Sequence, residues 1–168
     1  MIVVTGIRSG TSWTMQTIKE FYPIVGLKYH EDFPVEELNR NGYYDLPLAE
    51  TINGLKTHYK GCAVKLNGAS LYHTNPDFIR GVIVCVRDRE DQIKSIIKSF
   101  EKEKPLNDDE LVVKYSFPSY KNAELIKEMN DFFINMFFRH NKKPRITVEF
   151  EKMSDSKDRI KEFICRLE

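Results

Sequence analysis

Eight residues near the amino terminus, Gly6-Ile7-Arg8-Ser9-Gly10-Thr11-Ser12-Trp13, combine two glycines, three hydroxyls and one guanidinium directly after the short run Ile2-Val3-Val4-Thr5. A turn of this kind points successive backbone N–H groups inward. A helix opening on Thr11, Ser12 or Trp13 adds the partial positive charge of its N-terminus, so the segment suits a phosphate. Gly6 and Gly10 permit backbone angles and a close approach that a Cβ would block. The position before Thr11, where a Walker A loop carries lysine, is Gly10, so the loop is not built like that of an ATPase. The alternative reading is an ordinary strand–turn–helix junction.

A second segment pairs with the first. Val82-Ile83-Val84-Cys85-Val86 has the β-branched character of a buried parallel strand and ends in Arg87-Asp88. An amphipathic helix follows, with Ile93, Ile96, Ile97 and Phe100 as its apolar stripe, and Ser95 lies on it eight residues beyond Arg87. A guanidinium fork and a hydroxyl grip a phosphate without any change of protonation. Taken singly, Arg87 is a solvated charge at a strand end and Ser95 an exposed helix position.

Together the two segments resemble the sulfotransferases that use 3′-phosphoadenylyl sulfate (PAPS). The first loop is similar to their 5′-phosphosulfate loop, and Arg87 with Ser95 to their 3′-phosphate motif. The resemblance implies that Arg8, Ser9, Gly10, Thr11 and Ser12 bind the 5′-phosphosulfate, that Arg87 and Ser95 bind the 3′-phosphate, and that no metal is required. Trp13 stands where cytosolic members stack a tryptophan on adenine; the other reading is a core tryptophan on the first helix. Ile146-Thr147-Val148-Glu149-Phe150-Glu151-Lys152-Met153 looks like the family's late strand and the acidic-Met turn after it. The family continues further and often closes a basic Arg-Lys-Gly segment over the nucleotide, whereas this sequence stops at Glu168.

Sulfuryl transfer requires loss of a proton from the acceptor and neutralisation of charge on the leaving phosphate oxygen. Arg8 and the backbone of Ser9 to Ser12 suit the second task. Lys65, at the end of Gly61-Cys62-Ala63-Val64-Lys65-Leu66, lies close to where the family places a lysine after its third strand; its alternative is a lysine snorkelling into solvent. For the general base the candidates are Glu31, then His58, then His30. The family's cytosolic members have a histidine two residues past the lysine, where this chain has Asn67. For each candidate the competing reading is a surface side chain in a loop.

Lys+Arg 26 against Asp+Glu 25 leaves almost no net charge, which argues against broad nucleic-acid binding. Cys62, Cys85 and Cys165 are odd in number and widely spaced, with no Cys-x-x-Cys pair; Cys62 and Cys85, in or beside apolar strands, read as buried small hydrophobes of a reducing compartment. The dispersed His and Cys lack metal-ligand spacing. No apolar run approaches about 18 residues and no signal-peptide pattern opens the chain, so the expectation is a soluble cytoplasmic protein without a membrane partner.

The elements that must carry these residues alternate between strand and helix. Strands are expected at 2–5, 25–29, 61–66, 82–86 and 145–150, and helices at 12–22 (closed by Pro23) and 121–140. A final helix should bury Ile160, Phe163, Ile164 and Leu167, with Ser154 or Asp155 as cap. Leu125, Met129, Phe132, Phe133, Met136 and Phe137 are expected to form the buried face of the long helix. Residues 31–60 are broken by Pro34, Pro47 and Asn53-Gly54, and 101–110 read as a surface loop or mobile lid. At 168 residues a single domain burying about 70% of its unfolded surface is expected. Its class is three-layer α/β/α, with a mostly parallel sheet of about five strands and the ligand at their carboxyl ends. The resemblance makes this the P-loop-like sulfotransferase fold.

The reading that follows is a PAPS-dependent sulfotransferase acting by direct in-line transfer on a small-molecule, peptide or sugar hydroxyl or an amine. Tyr43, Tyr44, Phe33 and Tyr59 are candidates to line the acceptor pocket. The alternatives are a small-molecule or nucleotide kinase of P-loop architecture and a non-catalytic nucleotide-binding protein of the same fold.

Overall fold

A continuous apolar run and parallel pairing organise the chain around Ile2–Thr5 (β1), which is buried at every position. The computed structural model describes residues 1–25, 60–102 and 122–167. β1 is flanked by Ala63–Leu66 (β3) and Gly81–Val86 (β4), and the edges are Ile24–Val25 (β2) and Arg145–Glu149 (β5). The sheet has five strands in the order β2-β3-β1-β4-β5, and every pairing is parallel.

Successive β1 side chains point to opposite faces. Ile2 and Val4 join a core with Met15 and Ile18 of α1 (Thr11–Lys19) and Ile160, Phe163 and Ile164 of α5 (Lys157–Cys165). Val3 joins the opposite core with Leu71 of α2 (Gly68–His73) and Ile134 and Phe137 of α4 (Ala123–His140). A smaller cluster joins Ile96 of α3 (Arg89–Lys102) to Ala123 and Ile126 of α4. The result is the expected three-layer α/β/α arrangement. Among the described residues, no helix is long and apolar enough to cross a membrane.

Several expected boundaries and faces shift. The first helix ends at Lys19 instead of reaching 22, because Glu20, Phe21 and Tyr22 turn back with N–H bonds to Thr17 and Ile18 carbonyls before Pro23. Phe150 leaves the fifth strand and opens a 3-10 turn, Phe150–Ser156, so α5 follows Ser156 with no side-chain cap from Ser154 or Asp155. Glu101 and Lys102 belong to α3; the rest of the expected 101–110 loop lies outside the described residues, as do 26–29 of the expected second strand.

The long helix is also rotated from the expected face. Ala123, Ile126, Asn130, Ile134 and Phe137 are buried, whereas Leu125 and Phe132 are 37% and 52% exposed. On α3, Gln92, Ile96 and Ser99 face inward and Ile97 faces solvent. Among the cysteines Cys85 is buried, Cys62 half-buried and Cys165 exposed, so the buried role fits Cys85 alone.

Candidate functional site

In a sheet whose strands all run one way, the carboxyl ends share one edge. The chain leaves β1 toward β3 and β2 on one side and later crosses to β4 and β5 on the other, which makes the carboxyl end of β1 the topological switch point, where ligands of open parallel sheets bind. Thr5 there leads into the glycine turn, Lys65 is the penultimate residue of β3, Arg87 follows β4, and the Phe150–Ser156 turn follows β5.

The turn departs sharply from extended backbone. Gly6, Arg8 and Gly10 all have positive φ, at 133°, 49° and 87°. For Arg8, a non-glycine in the left-handed region, this costs roughly 1–2 kcal/mol. Glycine at position 6 is dictated by what surrounds it, since a Cβ there would run into the Cys85 carbonyl and Ser9 Oγ. Gly10 is the N-cap residue of α1 and provides no side-chain cap. The first turn of α1 therefore carries the helix-end partial charge without a capping oxygen from that position. Below the turn, Gln92 of α3 donates through Nε2 to the Ile7 carbonyl. Thr14 and Cys85 share a hydrogen bond at 3.2 Å. Burial pushes the Cys85 thiol from its ordinary 9.0 up to about 12, against the opposing effects of Thr14 and Lys65, so this sulfur is a neutral hydrogen-bonding group and not a nucleophile.

Two sets of expected site residues meet here. Arg8 Nε donates to Ser95 Oγ at 3.2 Å, joining the first loop to the helix after Arg87. Lys65 Nζ donates to Ser12 Oγ at 3.4 Å; strand alternation puts Lys65 on the same face as Ala63, the face that α1 covers. Arg87 is half-buried, its guanidinium carbon lies 4.3 Å from the centroid of the Phe150 ring, and its buried Nε has no hydrogen-bond partner among the described residues. Among the described residues Arg87 forms no ion pair. A buried N–H without an acceptor costs about 1–3 kcal/mol.

Other expected residues take different positions. The Ser9 and Thr11 side chains are buried, and Ser9 Oγ has no hydrogen-bond partner among the described residues; these two residues can meet a ligand through backbone N–H groups, while Ser12 and Gly10 are only half-buried. Trp13 packs against the α1–α5 core while remaining half-exposed. Asn67 is the N-cap of α2, its Oδ1 accepting the Ser70 N–H at 2.8 Å. The base candidates Glu31, His58 and His30 lie outside the described residues, as do Phe33, Tyr43, Tyr44 and Tyr59.

No protein-family model, curated protein or solved structure matches this chain. The functional reading thus rests on its own residues. Three of these carried no role in the sequence. Gln92 fixes the turn, and the available signal was a polar residue four positions before Ile96 on one helix face. Phe150 and Met153 cover Gly10, whose missing Cβ leaves space for Met153 Cε and Phe150 Cδ2. Their signal was an aromatic immediately past a strand, in register with the arginine past the neighbouring strand.

Proposed function

We propose that this chain is a PAPS-dependent sulfotransferase of P-loop-like architecture, transferring a sulfuryl group to an acceptor hydroxyl or amine. The observation that carries the reading is the 3.2 Å contact between Arg8 and Ser95. It unites a glycine turn at a helix N-terminus with the helix that follows the strand-ending Arg87. A doubly phosphorylated nucleotide has two anionic groups to satisfy, and the cations of this edge proposed to meet them are Arg8 and Arg87.

The residues fit such a ligand. Among the described residues Arg87 has a buried Nε without an acceptor and no carboxylate partner, and an arginine so held at a strand end suits a phosphate. PAPS would bring the sulfuryl group already activated by its phosphate leaving group. The roles left to the protein are positional and electrostatic. The turn backbone and Arg8 hold the 5′ end and neutralise charge on the leaving oxygen. Arg87 and Ser95 hold the 3′-phosphate. Lys65, beside Ser12, adds a second cation next to the turn. A proton must leave the acceptor, and Glu31, His58 and His30 are the candidates to take it.

Calorimetric binding of adenosine 3′,5′-bisphosphate, with ATP and 5′-AMP as controls and magnesium omitted, tests the reading. Binding that needs the 3′-phosphate and falls in Arg87→Ala supports it. Equal binding of ATP would sink it and bring the kinase alternative forward, for which a magnesium requirement is the signature. Tight bisphosphate binding with no transfer to any acceptor would instead identify a non-catalytic nucleotide-binding protein.

A further inference from the structure

We propose that Phe150 is a positioning residue of the anion site, holding the Arg87 guanidinium in place across its ring face. The inference rests on the reading above, in which Arg87 binds an anionic group. An arginine side chain has many rotamers, and fixing it before the ligand arrives removes an ordering cost from binding. Among the described residues, no hydrogen bond or ion pair does this for Arg87. Its Nε is buried without a partner. The nearby Glu151 carboxylate is engaged elsewhere, accepting the Asp88 N–H at 3.1 Å. The contact the structure does provide is the Phe150 ring, 4.3 Å from the guanidinium carbon, well within the distance at which the ring quadrupole attracts a cation.

The ring is itself held. Phe150 Cδ2 lies 2.7 Å from where a Gly10 Cβ would be, and Met153 fills the rest of that space. Phe150, though 38% exposed, thus touches both the glycine turn after β1 and the arginine after β4. Glycine at position 10 serves this packing as well as the turn. The fold also supplies a control of matching geometry. Arg145 lies 4.5 Å over the Phe138 ring, but at the amino end of the β4–β5 pair, where Arg145 faces Val82, away from the candidate site.

The test is a double-mutant cycle read by calorimetry with 3′-AMP, a probe whose single phosphate is the one assigned to Arg87. Phe150→Leu is expected to weaken binding about five- to tenfold. Phe150→Tyr should restore it, Phe138→Leu should leave it unchanged, and Phe150→Leu should have no further effect once Arg87→Ala is present. An undiminished Phe150→Leu loss in the Arg87→Ala background, or no loss in either, overturns the proposal. The Arg87 Nε–H resonance gives a ligand-free readout. It should carry an upfield ring-current shift that Phe150→Leu removes, and an unshifted resonance in the unsubstituted protein would also overturn the proposal. Repeating the cycle with adenosine 3′,5′-bisphosphate and 5′-AMP separates the two ideas. Coupling without preference for the 3′-phosphate removes the PAPS reading and leaves the positioning role. A 3′-phosphate preference without coupling does the reverse.

Discussion

Arg8 and Ser95, 87 positions apart in the chain, are joined by a 3.2 Å hydrogen bond from the guanidinium Nε to the hydroxyl. Arg8 reaches this partner from a left-handed backbone conformation, φ 49°. Side-chain chemistry and backbone strain therefore coincide at one residue, as is common where a site over-determines a conformation.

That coincidence makes the two contributions separable. Arg8→Gly should relieve about 1 kcal/mol of backbone strain that Arg8→Ala retains, so Arg8→Gly is expected to be the more stable variant in urea. On the proposed reading both should lose sulfuryl transfer to the same extent, by about a hundredfold or more if Arg8 neutralises the leaving oxygen. Transfer surviving in either variant would remove Arg8 from the chemistry. Ser95→Ala, which keeps the cation, should weaken bisphosphate binding only several-fold.

The two glycines of the turn should differ in their tolerance of alanine. A Cβ at Gly6 meets the Cys85 backbone carbonyl, which cannot move alone, whereas at Gly10 it meets the flexible end of Met153 and the Phe150 ring. Both positions also carry the left-handed penalty. We expect about 2 kcal/mol of destabilisation for Gly10→Ala and about 4 kcal/mol for Gly6→Ala. Met153→Ala should recover part of the Gly10→Ala loss and none of the Gly6→Ala loss. Equilibrium denaturation checks the order.

Lys65 offers a charge test with little structural consequence. Lys65→Met keeps an unbranched apolar stem on the α1 face and removes the cation beside Ser12 Oγ. Stability should change by less than about 1 kcal/mol, as for volume-conserving swaps. Turnover should fall by about tenfold or more if the ammonium stabilises developing charge. Unchanged turnover would reduce Lys65 to a snorkelling residue.

Cys85 predicts a pH dependence whose sign is fixed by burial. Its thiol is raised from 9.0 to about 12 by desolvation in the folded protein. Between those values the unfolded chain releases a proton that the folded chain keeps, so folding stability falls as pH rises above about 9. One fully buried group contributes a slope of at most about 1.4 kcal/mol per pH unit. Cys85→Ala should flatten the alkaline limb of the stability curve by that amount, and an identical slope in the variant would show that other groups control it. Native-state alkylation near neutral pH should modify exposed Cys165 and spare Cys85.

Local pattern determined much of this molecule. The apolar runs around Val3, Val64, Val82 and Val148 marked four strands nearly at their observed bounds, because β-branched runs between turn signals have few other uses. The glycine turn and the strand-ending Arg87 were legible for the same reason, being built from neighbouring residues. Periodicity also announced α4, but not its face. Its sequence carries more apolar positions than one stripe can bury, and packing of α3, α2 and the sheet selected Ile126, Asn130 and Ile134, with the expected Phe137, over Leu125 and Phe132. Asn130 shows the reason. Its Oδ1 accepts the buried Gly68 N–H at 2.8 Å, and no helical pattern announces a partner 62 residues away. The contacts of the candidate site belong to the same class. Arg8 to Ser95, Lys65 to Ser12 and Arg87 to Phe150 each join residues from different strand ends. Sequence supplied the chemistry of each group, and only the parallel sheet, by gathering its strands' carboxyl ends along one edge, decided which groups would meet.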